Sequence, residues 1–180
     1  YLRRVISFLC VLISKFSIII KVDPKLVLFG AMDGMWYADN SQYMFEYILK
    51  NRPDIRVYWI TKSKDVYLRL LKENQPVALC YSFKGLYLLY QSRIAFYTNS
   101  LLDISFNRNL VPNNYKLIAL RHGRSVKRVR FARKGHVLSD NEKIQRIKEG
   151  NMINYAISTS KFISHPSDFP IQFFCINFTF

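Results

Sequence analysis

The feature that most constrains the fold of this chain is a regular alternation of short apolar runs with segments of helical periodicity. The apolar runs, each predicted as a strand, lie at 26–29, 56–61, 77–81, 94–98, 117–120 and 156–158. Helical segments are predicted from Asn40, over 64–74 and over 83–92. Strands that are apolar throughout must be covered on both faces, and helical crossovers between them imply parallel pairing. The alternation therefore predicts an α/β fold built on a Rossmann-like parallel sheet.

Charge constrains the partners of the chain. Among 180 residues, 27 Lys and Arg stand against 12 Asp and Glu, a net charge of +15, so polyanions and anionic membrane surfaces are the expected partners. Neither a GxGxxG nor a GxxxxGK[ST] sequence occurs, and no cofactor is expected. Cys10, Cys80 and Cys175 are too far apart for a zinc knuckle and are predicted to be reduced core thiols of a cytoplasmic protein.

The two ends of the chain differ in character from its middle. Residues 1–22 are apolar with polar residues along one helical stripe, and Lys15 interrupts a run that is shorter than the roughly 20 residues of a membrane span. We predict an amphipathic membrane-associated helix, with a buried amphipathic helix or a signal-peptide core as alternatives. Residues 23–168 form the predicted Rossmann-like domain. The apolar tail 169–180 is predicted to be a truncation remnant.

Ligands of open parallel sheets bind at the carboxyl ends of the strands, so function is sought just after each strand. Four stretches meet this criterion: 30–40, 98–103, 121–134 and 158–160.

The third stretch carries the most distinctive chemistry. His122 follows the predicted strand 117–120 after one residue, and Gly123 allows a sharp turn there. Residues 121–134 contain seven Lys or Arg and no acid. A histidine can accept a proton from an alcohol, and cationic side chains stabilise phosphoryl oxygens, so a phosphotransfer site is predicted. A structural histidine beside a solvated basic helix is the alternative. His136 and His165 are not spaced to form a metal site with His122.

Five segments, in order, resemble one known family. They read DNSQYMFEYIL at 39–49, YWITKS at 58–63, YSFKGLY at 81–87, RHGRSVK at 121–127 and YAISTS at 155–160. They resemble segments of the CDP-glycerol glycerophosphotransferases, the teichoic acid primases and polymerases, and the resemblance covers about residues 26–165. Arg121 stands where the family has tryptophan, and Ser125 where it has proline.

The resemblance implies a GT-B-like architecture of two Rossmann-type domains, of which this chain supplies the amino-terminal, acceptor-side half. It implies that His122 is the catalytic base. A glycerol hydroxyl of a lipid-linked teichoic-acid-like or capsular polymer would attack the β-phosphate of CDP-glycerol, or of a related CDP-polyol, and release CMP. The residues expected to bind phosphate or acceptor are Lys127, Arg121, Arg124, Asn40 and Ser160.

In that family a carboxyl-terminal domain holds the cytidine nucleotide, and 180 residues leave no room for it. We therefore expect a truncated half without turnover, whose CDP-polyol donor binds through a missing second domain, at the cytoplasmic face of the membrane as a peripheral protein. A non-catalytic, membrane-associated polyanion-binding module is the main alternative. A nucleic-acid-binding module using 121–134 would explain the charge, but no RNA- or DNA-binding signature accompanies it. We expect no nucleic-acid partner.

Overall fold

The computed structural model describes residues 13, 15, 19–112, 114–120, 139–158 and 172–175. Within these ranges lie seven strands: β1 (Leu26–Phe29), β2 (Arg56–Thr61), β3 (Val77–Leu79), β4 (Ile94–Tyr97), β5 (Lys116–Leu120), β6 (Ile153–Ser158) and β7 (Gln172–Cys175). Four helices accompany them: α1 (Asp39–Asn51), α2 (Lys64–Lys72), α3 (Phe83–Gln91) and α4 (Asp140–Met152).

The strands form one sheet in the order β3-β2-β1-β4-β5-β6-β7, and every pair of neighbours runs parallel. The first described strand, β1, is therefore near the centre, where Phe29 pairs with Trp59 of β2 and with Phe96 of β4. This topology confirms the prediction of a parallel, Rossmann-like α/β fold.

Six of the seven described strands lie at predicted positions, although β6 begins at Ile153, before the predicted start at 156; the end of β3 is the most informative difference. The run 77–81 was predicted as one strand, but β3 ends at Leu79. Ser82 bonds the Leu79 carbonyl through both its backbone N–H, at 3.0 Å, and its hydroxyl, at 2.8 Å. The same hydroxyl accepts the Gly85 N–H at 3.0 Å and caps α3. The capping serine therefore turns the chain before the apolar run is complete.

One face of the sheet is covered by α1 and α2. Phe45 of α1 and Leu70 of α2 are fully buried against Phe29 and Trp59. The rings of Phe29 and Phe96 stack at 4.9 Å, and Phe45 meets Trp59 edge to face at 5.7 Å. Aromatic rings in these edge-to-face and stacked arrangements thus form part of the core on this face.

The opposite face is covered by α3, whose Leu88 and Leu89 pack with Leu26, Leu28 and the buried free thiol of Cys80. Of the three predicted core thiols, Cys10 and the side chain of Cys175 fall outside the described residues.

The chain ends are described only in part. The predicted helix over 1–22 lies largely outside the described residues. No helix in the described ranges is long and apolar enough to cross a membrane. Four residues of the predicted tail 169–180 form β7, which pairs Gln172 with Tyr155 and Cys175 with Ser158 of β6. The apolar composition of this stretch thus serves a strand that was not predicted.

Candidate functional site

The chain order of the sheet reverses between β1 and β4. From β1 the chain moves outward to β2 and β3, then returns to place β4 on the other side of β1. Loops that leave two such neighbouring strands diverge, and the crevice between them is where open α/β sheets bind ligands. The loops that follow β1 and β4 therefore outline the candidate site.

The loop after β1 has an unusual backbone. Met32, Asp33 and Gly34 follow one another with φ angles of 51°, 55° and 79°, all in the left-handed region. Two of them carry side chains that disfavour this conformation, so the surrounding structure must enforce it.

Two residues at the end of β2 hold one side of this loop. The Thr61 hydroxyl and the Lys62 backbone N–H donate to the Gly34 carbonyl at 2.8 and 2.7 Å. The Lys62 ammonium donates to the Asp33 carbonyl at 2.7 Å. Burial lowers the pKa of Lys62, while the nearby Cys80, Asp33 and Asp103 act in the opposite direction.

Asp103 holds the other side of the loop. Its carboxylate accepts backbone N–H groups from Asp33 at 2.6 Å, and from Thr98 and Asn99 at 2.8 Å each. The side chain is 1% exposed. Burial raises the pKa of Asp103, and the hydrogen bonds from the three N–H groups only partly offset this. One carboxylate thus joins the loops that follow β1 and β4.

Close backbone packing supports the same junction. A Cβ atom on Gly30 would lie 2.1 Å from the Asp103 carbonyl oxygen, a distance that no side chain could occupy. Gly30 is the residue immediately after β1, so the two loops approach each other as soon as their strands end.

The Asp33 side chain completes the arrangement. One carboxylate oxygen accepts the Ser100 hydroxyl at 2.7 Å, and the other accepts the Asn99 side-chain amide at 3.0 Å. Asn99 is exposed and Asp33 is half-buried, so this pair lies at the surface of the crevice. We call Asp33, Lys62, Asn99, Ser100 and Asp103 the switch-point cluster.

Comparison with known proteins places this chain in a family. The family model described as CDP-Glycerol:Poly(glycerophosphate) glycerophosphotransferase matches residues 12–168. The chain belongs to this family. A search of curated proteins finds no match.

Solved structures similar to this member of the glycerophosphotransferase family include several of the wall teichoic acid polymerase TagF. A histidine-to-asparagine variant of TagF soaked with CDPG matches with a TM-score of 0.62 and 19% identity, over 91% of this chain and 42% of that chain. TagF without a stated substitution matches with a TM-score of 0.56 and 18% identity, over 79% of this chain and 34% of that chain. The likeness establishes a shared fold over less than half of the TagF chains.

One of the residues predicted from the family resemblance is described. Asn40 is the second residue of α1, exposed, with its backbone N–H bonded to the Asp39 carboxylate at 2.8 Å. It follows the loop after β1 and so belongs to the same edge of the sheet as the switch-point cluster.

The other predicted site residues lie outside the described residues: Arg121, His122, Arg124, Lys127 and Ser160. Their sequence positions relate them to described strands. His122 comes two residues after Leu120, where β5 ends beside β4, and Ser160 comes two residues after Ser158, where β6 ends.

Sequence reasoning pointed to the stretches 30–40 and 98–103 but did not single out Asp33, Lys62 or Asp103. A usable signal was present, because Asp33 and Asp103 each closely follow an apolar strand at the reversal of chain order. No spacing rule, however, joins two residues that are 70 positions apart.

The described residues contain no group of three or more His, Cys, Asp or Glu residues arranged to hold a metal ion.

Proposed function

We propose that this chain is the acceptor-side domain of an enzyme that transfers glycerol phosphate, or a related polyol phosphate, from a CDP-activated donor to a teichoic-acid-like or capsular polymer. The observation that carries the proposal is the family match, which spans the parallel sheet from β1 to β6 and includes the His122 segment. The polar cluster at the reversal of chain order supports it, because it builds a ligand crevice on the same edge.

The proposed reaction is a phosphoryl transfer in which His122 is the general base. A terminal hydroxyl of the acceptor attacks the β-phosphorus of the CDP-polyol and gives up its proton to His122. A new P–O bond forms to the acceptor oxygen, and the bond between the β-phosphorus and the bridging oxygen breaks, so that CMP leaves. Lys127, Arg121 and Arg124 bind phosphate oxygens whose charge increases during transfer.

Asn40 and Ser160 complete the proposed acceptor site, because each follows a strand or loop that reaches the same edge of the sheet. We assign the CDP-polyol to a second Rossmann-like domain, since the matched TagF chains extend well beyond the shared region. The acceptor is proposed to be lipid-linked, and residues 1–21 to hold the protein peripherally at the cytoplasmic face of the membrane through Arg3, Arg4, Lys21 and an apolar helical face.

A non-catalytic polyanion-binding module is the second candidate, and the net charge of +15 favours it. Both functions require acceptor binding, but only the first requires His122 as a base.

The test uses the full chain with a synthetic trimer of glycerol phosphate as acceptor. Binding is measured by calorimetry, and CMP release from CDP-glycerol is measured after adding the carboxyl-terminal domain of a TagF-type polymerase. We expect trimer binding by the chain alone. In the combined assay His122→Ala should lower CMP release roughly 100-fold to 10,000-fold while trimer binding is retained.

Lys127→Ala serves as the contrasting variant, because it should weaken trimer binding as well as transfer. CMP release unaffected by His122→Ala would contradict the enzymatic role. Trimer binding without any release would favour the polyanion-binding module. A chain that does not bind the trimer would contradict both functions.

A further inference from the structure

We propose that Asp33 binds the hydroxyl groups of the acceptor's terminal polyol, and that Asp103 is the positioning residue that holds Asp33 in place. The inference rests on the proposed function. It assigns the hydroxyl groups of the acceptor to the switch-point cluster and its phosphates to basic residues elsewhere in the chain.

The geometry of Asp33 suits hydroxyl recognition. Each of its carboxylate oxygens accepts one hydrogen bond, from Ser100 at 2.7 Å and from the Asn99 amide at 3.0 Å. A carboxylate has about four acceptor positions, so both oxygens can accept further hydroxyl donors. The exposed Asn99 amide beside it supplies a carbonyl acceptor and a second N–H donor. A carboxylate next to a carboxamide can thus bond two neighbouring hydroxyl groups of a polyol.

The charge of the cluster argues for the same ligand. Two carboxyl groups, Asp33 and Asp103, stand with one ammonium group, Lys62, whose Nζ already donates to the Asp33 carbonyl. A phosphate placed beside Asp33 would face a like charge, whereas a neutral hydroxyl would donate to it. The proposed function assigns the phosphates instead to Lys127, Arg121 and Arg124 of the basic stretch 121–134.

Asp103 is assigned a positioning role because it acts on Asp33 through the backbone. It accepts the Asp33 N–H at 2.6 Å and the Asn99 N–H at 2.8 Å, and so fixes the two residues proposed to contact the polyol. The arrangement costs folding free energy twice, through left-handed φ angles at Met32 and Asp33 and through a carboxyl group that is 1% exposed. Such costs are concentrated at sites that hold functional groups in place.

The experiment compares two probes by calorimetry: the glycerol phosphate trimer, and the same trimer with its terminal hydroxyl groups methylated. Asp33→Asn removes a negative charge, so electrostatics alone predicts tighter binding of both polyanionic probes. If the Asp33 carboxylate accepts hydrogen bonds from the terminal hydroxyl groups, its loss should weaken binding of the free trimer roughly 10-fold to 100-fold. Binding of the methylated trimer should not be weakened. The sign of the change therefore separates the two explanations.

Asp54→Asn is the matched control, because it removes the same charge from an exposed carboxylate just before β2, at the opposite edge of the sheet. It should leave the ratio of the two affinities unchanged. Asp103→Asn should reduce the affinity for the free trimer as Asp33→Asn does. The double variant should bind the free trimer no less tightly than the single variant with the lower affinity, because both substitutions act on the same contact. A purely structural effect of Asp103 would weaken both probes equally.

Amide hydrogen exchange in the unsubstituted chain tests the positioning role even where Asp103→Asn does not fold. The free trimer should slow exchange at the Asp33 and Asn99 amides more than the methylated trimer does.

Equal or tighter free-trimer binding by Asp33→Asn, or no difference in exchange between the probes, would overturn the inference while leaving the proposed function standing. If the unsubstituted chain bound neither probe, both would fall.

Discussion

The amino edge of the sheet, where the strands begin, and the carboxyl edge, where they end, use aspartate in different ways. At the amino edge, Asp54 pairs with Arg52 at 2.8 Å and Asp23 with Arg56 at 2.5 Å, and both arginines are about half exposed. At the carboxyl edge, Asp103 is buried and is bonded by backbone N–H groups. The Arg52 guanidinium holds the pKa of Asp54 below its usual value, whereas burial raises the pKa of Asp103.

The contrast shows where the fold accepts an energetic cost. Exposed ion pairs at the amino edge cost little and contribute little. The buried carboxyl group and left-handed loop at the carboxyl edge are expensive, and they coincide with the reversal of chain order. The energetic cost of the fold is therefore concentrated at the carboxyl edge, where the proposed acceptor site lies.

The largest expected effect comes from the close contact of the two loops. Gly30→Ala would place Cβ 2.1 Å from the Asp103 carbonyl oxygen and force the backbones apart. We expect the free energy of unfolding to fall by about 3 kcal/mol, measured by urea denaturation. Lys50→Ala, an exposed position in α1, is the control and should have almost no effect. If Gly30→Ala left the free energy of unfolding unchanged, the two loops would be free to separate.

Removing carboxylates from the two edges gives the next largest effect. Asp103→Ala leaves three backbone N–H groups without their acceptor, partly offset by relief of the buried charge. We expect a loss of about 2 kcal/mol in unfolding free energy. Asp54→Ala should be indistinguishable from the unsubstituted chain, because Asp54 is half exposed and its ion pair with Arg52 lies at the surface. Equal losses in the two variants would abolish the distinction between the edges.

Asp103 and Asp54 should contribute to the pH dependence of the free energy of unfolding with opposite signs. The pKa of Asp103 is raised, so its contribution to stability is greatest in acid and is lost as pH rises above 3.8 through its folded pKa. The pKa of Asp54 is lowered, so its contribution is present above 3.8 and lost as pH falls through its folded pKa. Asp103→Asn and Asp54→Asn, unfolded in urea between pH 3 and 7, should change the slope in opposite directions. Slopes altered in the same direction would contradict the assigned shifts.

The smallest effect is expected for the ion pair of Asp23 with Arg56. Arg56→Ala should lower the free energy of unfolding by less than about 1 kcal/mol, and 1 M NaCl should remove most of the difference. A larger, salt-independent loss would mean that the aliphatic part of Arg56 packs against the sheet.

The strands were predictable because each is a local pattern of apolar residues between helical segments. The run 56–61 matches β2 at both ends, and 26–29 matches β1. The end of β3 was missed because the Ser82 cap outweighs the apolar character of Cys80 and Tyr81. β7 was missed because the aromatic composition of 169–180 does not distinguish a strand from an unpaired tail.

The candidate site was less accessible to sequence reasoning. Left-handed backbone at Met32 and Asp33 is invisible in a sequence that has no glycine at either position, and the bond from Asp33 to Asp103 depends on the crossover from β3 to β4. The roles of His122, Lys127, Arg121, Arg124, Asn40 and Ser160 remain predictions from the family resemblance.

The central position of β1 has a consequence for the order of assembly. Its neighbour β4 begins at Ile94, which is 65 positions after β1 ends at Phe29, and two complete strand-helix units lie between them. A contact of such long range is formed late and slowly, because the intervening chain must first be ordered. During synthesis the loop bearing Asp33 has no Asp103 to hold it until the ribosome has passed β4. We therefore expect the crevice to form only once β4 has joined β1, after the chain of β2 and β3 has been ordered.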